Sequence, residues 1–230
     1  MGQDSGDRGE SLPEIFTNQK IPEGTDTGGD RCGGREWAKP DISVETIRKG
    51  EGTMSHSNMV VYTVISPNKD IHRKHTIDRI TPHCTAEPMT AEEICECFMT
   101  PEREASCNYG IGGDGRVSLC VEEEDRSWCS SSRENDHRAI TIECCSEDRE
   151  PFAMNEIVYQ TLIDLCVDIC QRHGKTKLLW FGDKDKTLAY EPAADEMVLS
   201  VHRWFAAKSC PGEWLYSRMQ DLAERVTEKL

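Results

Sequence analysis

The run NEIVYQTLIDLCVDICQRHG, residues 155–174, repeats apolar side chains at helical spacing. Val158, Leu162, Leu165, Cys166 and Ile169 fall on one face, and Gly174 stands where a left-handed cap ends a helix. A helix with a single apolar stripe must bury that stripe against another layer. The flanking segments supply the layer. MVVYTVI (59–65), HTIDRITPHC (75–84), RVSLCVEEED (116–125), RAITIECCS (138–146), KLLWF and EMVLSVHRWF read as strands. Pro82 cannot donate a ladder hydrogen bond, which suggests an edge or a strand end. Thr90 and Glu93 form a capping box ahead of a short helix, and Trp214, Leu215, Met219, Leu222 and Val226 mark a last one. Strands interleaved with helices, some joined by hairpins, imply an α/β fold: a mixed central β-sheet flanked by helices.

Residues 1–53 carry 10 of the 17 glycines and no sustained period, so they read as a disordered or non-native leader. The folded domain is expected over 54–230, because the apolar run begins after Met54. The net charge of −15, with no basic stripe, argues against nucleic acid as a partner. No apolar run reaches membrane-spanning length, so membrane insertion is not expected, and the N-terminus lacks a signal-peptide pattern. These features predict accumulation in the cytoplasm. That setting, and the placement of the thiols, favour buried free cysteines over a disulfide framework for most of the 12.

GIGGDG (110–115) matches the dinucleotide fingerprint in letters only. A strand-like run follows where the fingerprint needs a helix N-terminus, and Asp114-Gly115 is a hairpin dipeptide. It is read as a turn.

Of seven histidines, His173 abuts a helix C-terminus, His56, His72 and His75 lie in polar surroundings, and His137 follows Asn135-Asp136 in an expected loop. His83 and His202 each end a strand-like run with no capping role. Taken singly, either reads more readily as a satisfied structural histidine than as a ligand. Cys210 changes that balance, because two histidines and a cysteine can supply the three protein ligands of a catalytic zinc site. Seven residues separate His202 from Cys210. Glu143 shares a strand face with Thr141 and Cys145, opposite Ile140 and Ile142, and a carboxylate in such a run costs free energy unless it has a partner or a task.

Four ordered motifs, ITPHCTA, NYGIGGDGRV, SWCSSSRENDHRAITIE and VHRWFAAKSCPG, resemble the type-2 N-acetylmuramoyl-L-alanine amidases. These are zinc hydrolases related to peptidoglycan-recognition proteins and common as phage endolysins. The resemblance runs from about Val60 to Leu215. It implies a peptidoglycan-recognition-protein-like fold, Zn2+ held by His83, His202 and Cys210, and Glu143 and Lys208 as catalytic residues. It also implies bacterial peptidoglycan as partner, cut at the wall after release. Some phage members carry a catalytic tyrosine where this chain has Cys107, so the expected mechanism leans on Glu143, with Tyr109 packing or lining the cleft.

Two other readings fit the sequence less well. A muropeptide-binding module without activity would lack the cysteine ligand, and this chain keeps Cys210. An electron-transfer copper site would draw Cys, His and Met from one short loop, and no His follows Cys210.

Overall fold

The computed structural model describes residues 55–230. The expected leader lies outside them. In chain order the elements are β1 (Val60–Thr63), β2 (Lys69–Asp70), β3 (Arg79–Cys84), α1 (Ala91–Glu96), β4 (Tyr109–Ile111), β5 (Val117–Leu119) and β6 (Arg126–Ser127). Then come α2 (Arg133–Arg138), β7 (Ala139–Cys144), α3 (Glu156–Arg172), β8 (Lys177–Leu179), α4 (Lys184–Ala189), β9 (Glu196–Leu199), α5 (Gly212–Tyr216) and α6 (Met219–Thr227). A seven-stranded sheet runs β1-β5-β4-β7-β3-β9-β8. Within it only the β4–β5 pair is antiparallel, closed by the Gly112–Gly115 turn, where Gly115 takes φ +81°; β2 and β6 form a separate antiparallel pair. The mixed α/β architecture expected from sequence is the one observed. GIGGDG is a hairpin turn.

Helix α3 carries the stripe read from sequence. Val158, Leu162, Leu165, Cys166 and Ile169 are all fully buried in one cluster with Ile80, Ile140 and Ile142 of the sheet and Leu222 and Val226 of α6. Each such aliphatic side chain contributes about 1.5–3 kcal/mol relative to exposure. Asn155 caps the helix, its side chain accepting from Val158 N at 2.9 Å. With this face covered, the opposite face of the sheet is left to build a site.

Pro82 sits inside the sheet, and the strand's alternation explains how. Ser200 N donates to Ile80 O and Thr85 N donates to Cys144 O, each at 3.0 Å, so even residues of β3 face β9 and odd ones face β7. Pro82 therefore turns its nitrogen toward β9, which pairs with Arg79 and Ile80 only and has ended by that point.

Three local expectations are corrected. His137 lies in α2, whose first turn is capped by the Ser132 side chain accepting from Asn135 N. The strand-like HRWF is a 3-10 turn over His202–Trp204. Cys95 and Cys120 are joined by a disulfide, while Cys84, Cys97, Cys107, Cys144, Cys145, Cys166 and Cys170 are buried thiols, as expected for the majority. None of the helices among the described residues is long and apolar enough to cross a membrane.

Candidate metal centre

Strands β3 and β7 run parallel and in register, pairing Thr81 with Thr141 and His83 with Glu143. In-register parallel partners project to the same face, so these four side chains share the face opposite α3. The chain then leaves β9 and turns back over their C-terminal ends. Arg203 N donates to Cys210 O at 3.1 Å and the Arg203 guanidinium to Ser209 O at 2.7 Å, pinching the loop shut. That closure brings His202 and Cys210 to His83. Gly212 ends the loop at φ +80°, and a Cβ there would stand 2.7 Å from Pro151 O.

The result is a group of three donors. One ligand atom from each of His83, His202 and Cys210 lies within 4.8 Å of the others. Cys210 Sγ is 3.3 Å from His83 Nδ1, and the two imidazole rings meet edge to face at 5.0 Å. Ser131 Oγ holds His202 Nε2 at 2.9 Å, which fixes the ring. Glu143 Oε1 approaches His83 Nδ1 to 3.9 Å and accepts from the Cys129 thiol at 3.7 Å. Lys208, half-buried, lies on the same loop two residues before Cys210, its N–H donating to Ala206 O at 2.9 Å.

Burial, together with the nearby His202, holds the His83 imidazole well below its ordinary pKa, so the ring is neutral near pH 7. Burial first, then Cys84 and Glu143, push the Cys210 thiol well up. A neutral imidazole is the form that binds metal, and a buried thiol beside a carboxylate ionises only when a cation offsets the charge. The His83 ring turns Nδ1 toward Cys210 and Glu143, while its Nε2 is buried without a hydrogen-bond partner. The donor set fits zinc, with its preference for nitrogen and sulfur and its tolerance of three protein ligands.

Sequence reasoning missed part of the cavity. Cys129, Trp128 and Arg103 line it beside the donors, with Arg103 stacked over Phe98 at 5.8 Å. Their only sequence signal is that Trp128 and Cys129 stand in SWCSSS. Cys107, at the family's tyrosine place, is fully buried with its sulfur 3.5 Å from that of Cys120. Tyr109 packs in the core, its hydroxyl donating to Glu123 and accepting from Ser57 N.

Two imidazoles, a thiol and a carboxylate in one cleft on the open face of this sheet are the groups a metal-dependent hydrolase needs. Residues 73–213 match the family model for N-acetylmuramoyl-L-alanine amidase, and the chain belongs to that family. It is a peptidoglycan amidase. Among solved structures the fold is similar to a selenomethionine AmpD derivative (18% identity, 74% of this chain and 99% of that one, TM-score 0.50). It is likewise similar to the PlyG catalytic domain in solution (15%, 73% and 93%, TM-score 0.50). The Staphylococcus aureus hydrolase AmiA in complex with its ligand gives 15%, 73% and 82% at TM-score 0.50. No curated protein sequence matches the chain.

Proposed function

We propose that His83, His202 and Cys210 hold one zinc ion, and that Glu143 carries the proton as the chain cleaves the amide between the lactyl group of N-acetylmuramic acid and L-alanine. The observation that carries this reading is the meeting of the three donors within 4.8 Å, next to a carboxylate that has its own register position on the neighbouring strand. When bound, zinc supplies an activated water of pKa about 7 and polarises the substrate carbonyl. Glu143 accepts the proton from the attacking water and delivers it to the departing amine. Lys208 adds positive charge against the developing oxyanion. Ser131 keeps His202 in one orientation, and Trp128 and Phe98 exclude water from one wall. The products are a muramoyl carboxylate and a peptide with a free L-alanine amine.

In this reading the catalytic unit spans 54–230, residues 1–53 are a dispensable leader, and the substrate is the bacterial cell wall, reached after release from the cytoplasm. Metal analysis of the purified protein, with turnover before and after chelation, tests it. One zinc per chain and activity that returns on re-addition of zinc are expected. Undiminished turnover in metal-free protein contradicts it.

A further inference from the structure

Arg79 opens β3 on the same face as His83, and it is 3% exposed. Its neighbour Arg138 is fully matched, with Asp78 at 2.6 Å and Glu191 at 3.4 Å. Arg79 has no such match. Its one side-chain hydrogen bond, at 3.4 Å, goes to Asn135 Oδ1, a neutral oxygen that also accepts from Ser200 Oγ at 3.0 Å. Its Nε is buried with no partner, and no described carboxylate reaches ion-pair distance of it. Burial pulls the Arg79 pKa down, and the charge of Arg138 adds to that. A guanidinium stays charged in proteins, so an unmatched one in the interior is a standing cost that an anion would relieve.

Arg79 lines an open pocket with Ser131, Asn135, Lys184, Trp204 and Phe205. Lys184 is exposed at its rim, as is Glu134, the one acidic side chain among its lining residues. Trp204, stacked flat on Trp180 at 5.0 Å and 3°, gives it a rigid apolar wall. Ser131 lines this pocket, and its hydroxyl holds Nε2 of His202, which lines the metal-site cavity. The pocket therefore adjoins the proposed metal ligand His202 through Ser131.

We propose that this pocket is a substrate subsite in which Arg79, aided by Lys184, takes a carboxylate of the stem peptide while Trp204 covers the adjoining aliphatic chain. The proposal rests on the amidase reading above. A planar guanidinium edge suits a carboxylate, and an acidic peptide attached to the scissile amide would bring one within reach of an adjoining cavity.

The test uses two soluble substrates, N-acetylmuramoyl-L-Ala-D-Glu with free carboxylates and the same compound with both carboxylates amidated. Cleavage of either one by zinc-loaded wild type satisfies the amidase reading alone, so the two ideas fail separately. Wild type is expected to favour the free acid in kcat/KM by about 10- to 100-fold, the usual worth of a charge-assisted hydrogen bond. The difference should lie mainly in KM. Arg79→Gln should bring the ratio near one, and Lys184→Gln, at the exposed rim, should narrow it. Without substrate, Arg79→Gln should melt at or above the wild-type temperature, since it removes an unmatched buried charge; a purely structural arginine would melt lower when replaced. A wild-type ratio near one overturns the proposal, as does an Arg79→Gln protein that keeps the wild-type ratio. Should Arg79→Gln fail to fold, an unchanged ratio in Lys184→Gln overturns it equally.

Discussion

His83 and Glu143 stand directly opposite each other on neighbouring parallel strands, with Nδ1 and Oε1 3.9 Å apart. The carboxylate is thus held beside a proposed ligand by backbone register, independently of any metal. Glu143→Gln preserves the shape and removes the proton carrier. Zinc content and melting temperature should survive, and turnover at matched zinc occupancy should fall by roughly 10²–10⁴. A variant within a few-fold of wild type would remove Glu143 from the mechanism.

The metal assignment separates the cysteines. Cys210→Ser should lose zinc, because a hydroxyl is a poor replacement for a thiolate. Cys166→Ser and Cys170→Ser, both on the buried face of α3 and so across the sheet from the donors, should keep it. Cys95 is unsuitable as a control because it is bonded to Cys120. Zinc analysis after dialysis decides the point, and full occupancy in Cys210→Ser would refute the ligand set.

Much of the candidate site was legible because its donors are local in sequence. VHRWFAAKSCPG carries His202, Lys208 and Cys210 in one loop, and ITPHC places His83 at a strand end. The α3 stripe was equally plain, since a long amphipathic helix announces its own buried face. What could not be read was set by tertiary neighbours. Pro82 is tolerated inside the sheet only because β9 stops short of it. Cys95 and Cys120 pair across 25 residues once α1 lies over β5, a relation with no local signature. Arg103 and Cys129 reach the cavity through the packing of loops whose sequences give no sign of it.

A second network makes stability depend on acid. Burial of Glu123 alone would raise its pKa, but hydrogen bonds from His173 at 2.8 Å and Arg172 at 2.6 Å prevail and bring it down to about 2. A carboxylate lowered in the folded state stabilises above its unfolded value of 4.5 and loses that contribution as pH falls toward 2. A shift of this size is worth on the order of 3 kcal/mol. Glu123→Gln should therefore be less stable than wild type in urea at pH 7, with the gap closing near pH 2. An equal gap at both values would show that the carboxylate's charge is not what stabilises the network.

Removing the leader tests the domain boundary. A chain beginning at Met54 should keep the melting temperature and the turnover of the full chain. A fall of several degrees would mean that residues before Met54 pack on the catalytic unit.

The most direct measurement is mass spectrometry of purified peptidoglycan digested by the zinc-loaded protein, with Glu143→Gln as the parallel sample. The account predicts peptides bearing a free N-terminal L-alanine and glycan strands with free muramoyl carboxylates, both nearly absent from the variant digest. New reducing sugar ends, peptides cut within the stem, or an untouched polymer in the presence of fully zinc-loaded wild type would contradict it.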